Sequence, residues 1–232
     1  MVWIKICGVT STTDARHAAE CGADAVGINF YRKSVRFVTA AEADNIIRSL
    51  PPTTAPVGVY VETDPLTIRE IAMEHGLRAV QTYALVPDGF DFAPPAHIPA
   101  FRVHDRASIE SVLATVETYR EFGRTPSAIL IDSYVPGAMG GTGHTAPWDL
   151  LVGFDPGVPV ILAGGLTPDN VADAIRTVRP AGVDVASGVE SAPGVKDAGK
   201  VRAFIQAARE AAAGLPDPPP VFRLRAGPGY LE

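Results

Sequence analysis

Eight short runs of β-branched and small apolar residues recur along the chain, separated by amphipathic stretches of helical period. The apolar runs fall near 2–7, 24–30, 56–61, 78–82, 98–103, 127–132, 158–163 and 182–186. Helical patterns lie near 13–21, 40–49, 65–75, 106–121, 147–152, 168–178 and 196–213. This alternation predicts a parallel sheet with helical crossovers. Eight such units in a chain of 232 residues predict an α/β fold, a compact (β/α)8 TIM barrel forming a single domain over 1–214. The competing arrangement, a doubly wound open sheet, normally carries fewer strands and a topological switch point. The fourth crossover, 83–97, is rich in Pro, Asp and Phe and carries no proper helical pattern.

Composition narrows the function classes. Net charge is −6 with no basic block, which argues against nucleic acid as a partner. No apolar run approaches the ~20 residues a bilayer requires, so no membrane partner is expected. The opening MVWIKICG already reads as a strand, without the basic and apolar regions of a secretory signal. Cys7 and Cys21 are the only cysteines, too few for a disulfide scaffold or a zinc cluster. A cytoplasmic protein without metal or cofactor is expected, as a monomer or homodimer. Residues 215–232, LPDPPPVFRLRAGPGYLE, read as a Pro-rich tail outside the barrel. Three successive prolines cannot continue a helix, and a flexible tail is favoured over a docked arm.

The stretch VPVILAGGLTPDNVADAIRTVRPAGVDVASGVE at 158–190 points to a ligand. Its two apolar runs end at Gly164-Gly165 and at Ser187-Gly188, and a helix starts after the first. Backbone amides at such points are suited to an anion, and glycine permits close approach. In a barrel, the loops after strands seven and eight commonly hold a substrate phosphate, so a small phosphorylated molecule is the expected partner.

Strand alternation then picks out chemistry. In WIKICG, Ile4 and Ile6 face the helices, while Lys5 and Cys7 face the interior, Cys7 at the rim. From position alone Cys7 reads equally well as a base or nucleophile and as a buried structural thiol. As a base, it needs a pKa below the ordinary ~8.5 for efficient work at neutral pH. Asp132 closes AILID across the barrel, where it suits an acid–base partner or a loop cap. Lys5 and Asp184 share a lower layer on adjacent strands and should pair, since neither charge is tolerated alone inside. Arg36, in RKSVRFV, suits a carboxylate ligand or a solvated basic loop. The run Gly140-Gly141-Thr142-Gly143 reads as a lid or as a plain connector, and His144 as a solvated side chain.

Taken in order, these segments resemble the phosphoribosylanthranilate isomerase family. The resemblance rests on KICGVT at 5–10, GINFYRKSVRFV at 27–38, VGVYV at 57–61, ILIDS at 129–133, GGTGHT at 140–145, LAGGLTPDNV at 162–171 and GVDVASGVE through PGVKD at 182–197. It covers residues 1 to about 210. It implies an Amadori rearrangement of N-(5-phosphoribosyl)anthranilate in tryptophan biosynthesis, with no cofactor. Asp132 would be the general acid and Cys7 the general base. Arg36 would hold the anthranilate carboxylate. Gln81, Gly141 and Gly143 would contact substrate, and Gly164, Gly165, Ser187 and Gly188 the phosphate. The chain departs from the family pattern at Tyr83 (usually histidine), Ala84 (glycine), His144 (lysine) and Val35 (proline), and the tail has no counterpart. Two other readings share the phosphate motif: a different phosphosugar reaction on the same scaffold, and a binding protein without turnover.

Overall fold

The computed structural model describes residues 1–83, 90–93, 95–132 and 148–221. Eight parallel strands close in chain order: β1 (Trp3–Cys7), β2 (Ala25–Asn29), β3 (Ala55–Tyr60), β4 (Ala79–Thr82), β5 (Ala96–Arg102), β6 (Ile129–Asp132), β7 (Val160–Ala163) and β8 (Gly182–Val185). The barrel closes where β8 pairs with β1, setting Lys5 opposite Asp184. Around it lie α1 (Thr12–Glu20), α2 (Ala40–Arg48), α3 (Pro65–Glu74), α4 (Arg106–Glu121), α5 (Val171–Val178) and α6 (Ala198–Ala212). The predicted TIM barrel is therefore the observed fold.

Period-two alternation divides the apolar residues between two cores. Ile4, Ile6, Ile28, Ile131 and Val183 point outward to the helices and meet residues such as Ala15, Ile46, Val112, Ile175 and Phe204. Ala25, Val57, Ala79, Ile98, Leu130 and Ile161 fill the barrel itself. Most helix starts are fixed by side-chain caps in the loops that follow the strands. The Ser11 hydroxyl accepts from the Asp14 amide, Thr39 and Glu42 cap α2 reciprocally, and Asp64 precedes a proline at the first position of α3. These caps satisfy free amides on the face where the loops converge.

Four local differences from the sequence reading have physical causes. The helix expected at 147–152 is a single 3-10 turn, Trp148–Leu151, stopped by Gly153 at φ +72. Helix α5 starts at Val171, later than expected. There the Asn170 side chain accepts from the Thr167 amide and donates to the Gly165 carbonyl, holding 167–170 as a turn. An unexpected hairpin, β9 (Glu190–Ala192) and β10 (Val195–Lys196), fills the segment before α6. Finally, Val221 is 2% exposed and belongs to the barrel's interior cluster, although a loose tail was expected there. Residues 222–232 of that tail lie outside the described residues.

Candidate active site

Three inward side chains define a rim layer at the C-terminal ends of the strands: Cys7 ends β1, Asp132 ends β6, and Tyr83 follows β4. Beneath them Lys5, Gln81 and Asp184 form a second polar layer. The Lys5 ammonium is fully buried and donates to Asp184 Oδ1 at 2.9 Å and to Gln81 Oε1 at 2.9 Å. The expected Lys5–Asp184 pair is thus present. Gln81 is also fully buried, and its amide nitrogen donates to the Tyr83 hydroxyl at 3.4 Å. Its amide therefore braces neighbouring side chains one layer below the mouth.

Cys7 sits above Lys5 in a space made by glycine. A Cβ at Gly27, its partner on β2, would stand 2.7 Å from Cys7 Sγ and 3.0 Å from Lys5 Cε. Burial pushes the Cys7 thiol up, and Asp184 adds to this; the Lys5 and Lys196 ammoniums oppose both. The thiol therefore lies above its ordinary range, opposite to the downward shift expected of an efficient base. Burial alone would lower Lys5, but Asp184 and Cys7 outweigh it and keep the ammonium charged.

Arg36 lies over the end of β1. At Gly8, with φ +69, a Cβ would come within 2.3 Å of Arg36 Cδ, so the glycine of KICG makes room for the guanidinium. Arg36 Nε and Nη2 each donate to the Glu190 carboxylate at 2.7 Å. The guanidinium has five N–H donors in a fixed fork, so its outer edge keeps capacity for another carboxylate. Lys196, 2% exposed, donates to Glu190 at 2.9 Å and to the Ala186 carbonyl at 3.0 Å. Burial would raise the Glu190 carboxyl, but hydrogen bonds from Arg36 and Lys196 hold it below the usual range. Glu190 and Lys196 went unnoticed in the sequence reading. Their signal was the GVE and VKD segments, which supply the first residue of β9 and all of β10.

The two loops expected to hold phosphate meet directly. Gly164 and Gly165 follow β7 with φ +88 and +65. Ser187 and Gly188 open a 3-10 turn, Ser187–Val189, after β8. A Cβ at Gly188 would stand 1.9 Å from the Leu166 carbonyl oxygen, so only glycine lets the loops touch. The Glu190–Lys196 network binds the Ala186 carbonyl next to this point and so ties the Arg36 side of the mouth to the paired glycine loops. Gly141, Gly143 and His144 lie outside the described residues. Among the described residues, no cluster of three His, Cys, Asp or Glu could hold a metal ion, and no helix is long and apolar enough to cross a membrane.

Comparisons with known proteins point to one family. The family model for N-(5'phosphoribosyl)anthranilate (PRA) isomerase matches residues 4–207. A relative from Geobacter sulfurreducens named N-(5'-phosphoribosyl)anthranilate isomerase is 45% identical over 210 residues, covering 90% of this chain and 99% of the relative. The solved phosphoribosyl anthranilate isomerase of Thermotoga maritima is 39% identical with a TM-score of 0.79, covering 90% of this chain and 100% of that one. A further solved phosphoribosyl anthranilate isomerase, 37% identical with a TM-score of 0.76 over 90% of this chain and all of that one, is in complex with reduced 1-(o-carboxyphenylamino)-1-deoxyribulose 5-phosphate.

Proposed function

The chain belongs to the N-(5'-phosphoribosyl)anthranilate isomerase family, and on that premise we propose how its own residues carry out the isomerisation. The reaction is the Amadori rearrangement of N-(5'-phosphoribosyl)anthranilate to 1-(2-carboxyphenylamino)-1-deoxyribulose 5-phosphate, a step of tryptophan biosynthesis. Asp132, protonated, gives its proton to the furanose ring oxygen as the bond from that oxygen to C1 breaks. The anilino nitrogen lone pair forms the iminium. The Cys7 thiolate then removes the C2 proton, and the electron pair moves into an enolamine. Loss of the enol proton and gain of a proton at C1 give the ketone. No atom is gained or lost overall, as an isomerisation requires.

The observation that carries this reading is the rim layer. Cys7 and Asp132 are the last inward residues of β1 and β6, three strands apart around one mouth. Each partner of such an acid–base pair contributes about 10²–10⁴ in rate. Arg36, held by Glu190, offers its outer edge to the anthranilate carboxylate. The backbone at Gly164, Gly165, Ser187 and Gly188 would take the phosphate, and the protein would work in the cytoplasm on this one small substrate. The test is a fluorescence assay following loss of freshly prepared N-(5'-phosphoribosyl)anthranilate by wild type, Cys7→Ser and Asp132→Asn. Turnover by wild type and its loss in both variants is expected. Ordinary turnover in both variants would discard the acid–base pair.

A further inference from the structure

Tyr83 continues the inward alternation of β4, after Ala79 and Gln81. Its ring packs against the barrel's interior cluster, which includes Ala79, Ile98 and Leu130. The hydroxyl ends a chain of hydrogen bonds that begins at Asp184. Lys5 donates to Asp184 and to Gln81 Oε1, each at 2.9 Å. Because an ammonium only donates, the Gln81 carbonyl must face Lys5 and its amide nitrogen must face Tyr83. The Tyr83 oxygen therefore accepts at 3.4 Å, which leaves its own proton to be donated to another acceptor. Gln81 is the hydroxyl's one hydrogen-bonding partner among the described residues. Burial, with the nearby Cys7, Asp132 and Asp184, pushes the phenol far up, so it remains a donor wherever the enzyme works.

We propose that Tyr83 is a substrate-contacting, specificity-determining residue whose hydroxyl donates a hydrogen bond to a ribosyl hydroxyl oxygen held between Cys7 and Asp132. The inference rests on the phosphoribosylanthranilate reading above. In that substrate the acid claims the ring oxygen, Arg36 the carboxylate and the glycine loops the phosphate. The ribosyl hydroxyls are what those groups leave without a partner. A neutral donor fixed from below orients the C2–H bond toward the thiolate without exchanging its proton. A histidine, the usual residue of the family pattern here, would offer a donor of different shape.

Wild type, Tyr83→Phe and Tyr83→His should be compared for kcat/KM and for affinity toward the reduced product analogue 1-(o-carboxyphenylamino)-1-deoxyribulose 5-phosphate, with thermal melting as control. The phenylalanine variant should lose about tenfold in both quantities while melting like wild type, and histidine should recover most of the loss. A hydroxyl that merely braced Gln81 would behave differently, since its effect would vanish in a Gln81→Leu background. Wild-type-like Tyr83→Phe, or loss of its effect in that background, overturns the inference alone. Wild type inert toward N-(5'-phosphoribosyl)anthranilate overturns the inference and the functional reading together.

Discussion

The two ends of the barrel share the same strands but are built from different residues. At the N-terminal end the inward positions include Ala25, Ala55, Ala79, Ala128 and Ala181, each no more than 5% exposed, beside Trp3. Toward the C-terminal end the same alternation delivers Lys5, Cys7, Gln81, Asp132 and Asp184. The alanine end needs only shape, and small side chains let the strands approach and pack. The polar end must pair what it buries, because an unpaired charge there costs several kcal/mol. Its second layer accordingly spends Lys5 on Asp184 and Gln81, each at 2.9 Å. One backbone period thus supports a stabilising end and a reactive end, and substitutions at the two ends should separate in what they change.

The largest separation is expected at the rim. Asp132→Asn keeps shape and removes the acid, and should lower kcat by about 10²–10⁴ with little change in melting. It also isolates the thiol. A pKa raised by burial means less thiolate at a given pH. The residual kcat/KM of Asp132→Asn should therefore climb about tenfold per pH unit and level only above the ordinary thiol value of ~8.5. Levelling well below that value would show that Lys5 and Lys196 outweigh burial.

Next in size is the seam between the two glycine loops. Gly188→Ala must displace the Leu166 carbonyl, 1.9 Å from the added carbon. A shift of about 1 Å in a positioning loop can cost about 10²-fold, and the loss should fall mainly on KM if this seam cradles the phosphate. An unchanged KM would remove the seam from the substrate site. Smaller again is Glu190→Gln, which weakens the paired hydrogen bonds that aim Arg36. It should raise KM by roughly tenfold with a smaller effect on kcat. A kcat loss at constant KM would instead assign this network to the chemistry at Cys7.

How far the sequence is legible follows from the range of the signal. The barrel and the inward placement of Lys5, Cys7, Asp132 and Asp184 follow from a period of two, which needs only neighbouring residues. The meeting of Lys5 with Asp184 also follows, because β1 and β8 are forced together by closure. Arg36, in the loop after β2, and Glu190, at the start of β9, are 154 residues apart, and no local pattern relates them. The thiol's upward shift depends on burial from several elements, which the three residues KIC cannot disclose. Gln81 reads as a substrate ligand in the family pattern, whereas its contacts with Lys5 and Tyr83 require three strands to be placed at once.

The smallest catalytic effect belongs to the alanine end, at Val221. Helix α6 runs back against the strands and ends at Ala212, so the chain leaves it beside the barrel's N-terminal face. The Met1 ammonium, which precedes β1 on that face, pairs with Asp217. Both groups are almost fully exposed, so the pair adds little, and Val221 is the residue that anchors the segment. Pro218, Pro219 and Pro220 have fixed φ angles and therefore lose less freedom when Val221 enters the interior cluster. We propose that this segment closes the end of the barrel remote from the chemistry. Burying one valine contributes roughly 1.5–3 kcal/mol, so Val221→Asp should lower Tm by at least about 3–10 °C. Turnover measured below the transition should keep the wild-type kcat/KM, because the rim layer lies at the opposite end of the strands. A tenfold fall in kcat/KM without a change in Tm would connect the two ends and abolish the division of labour between them.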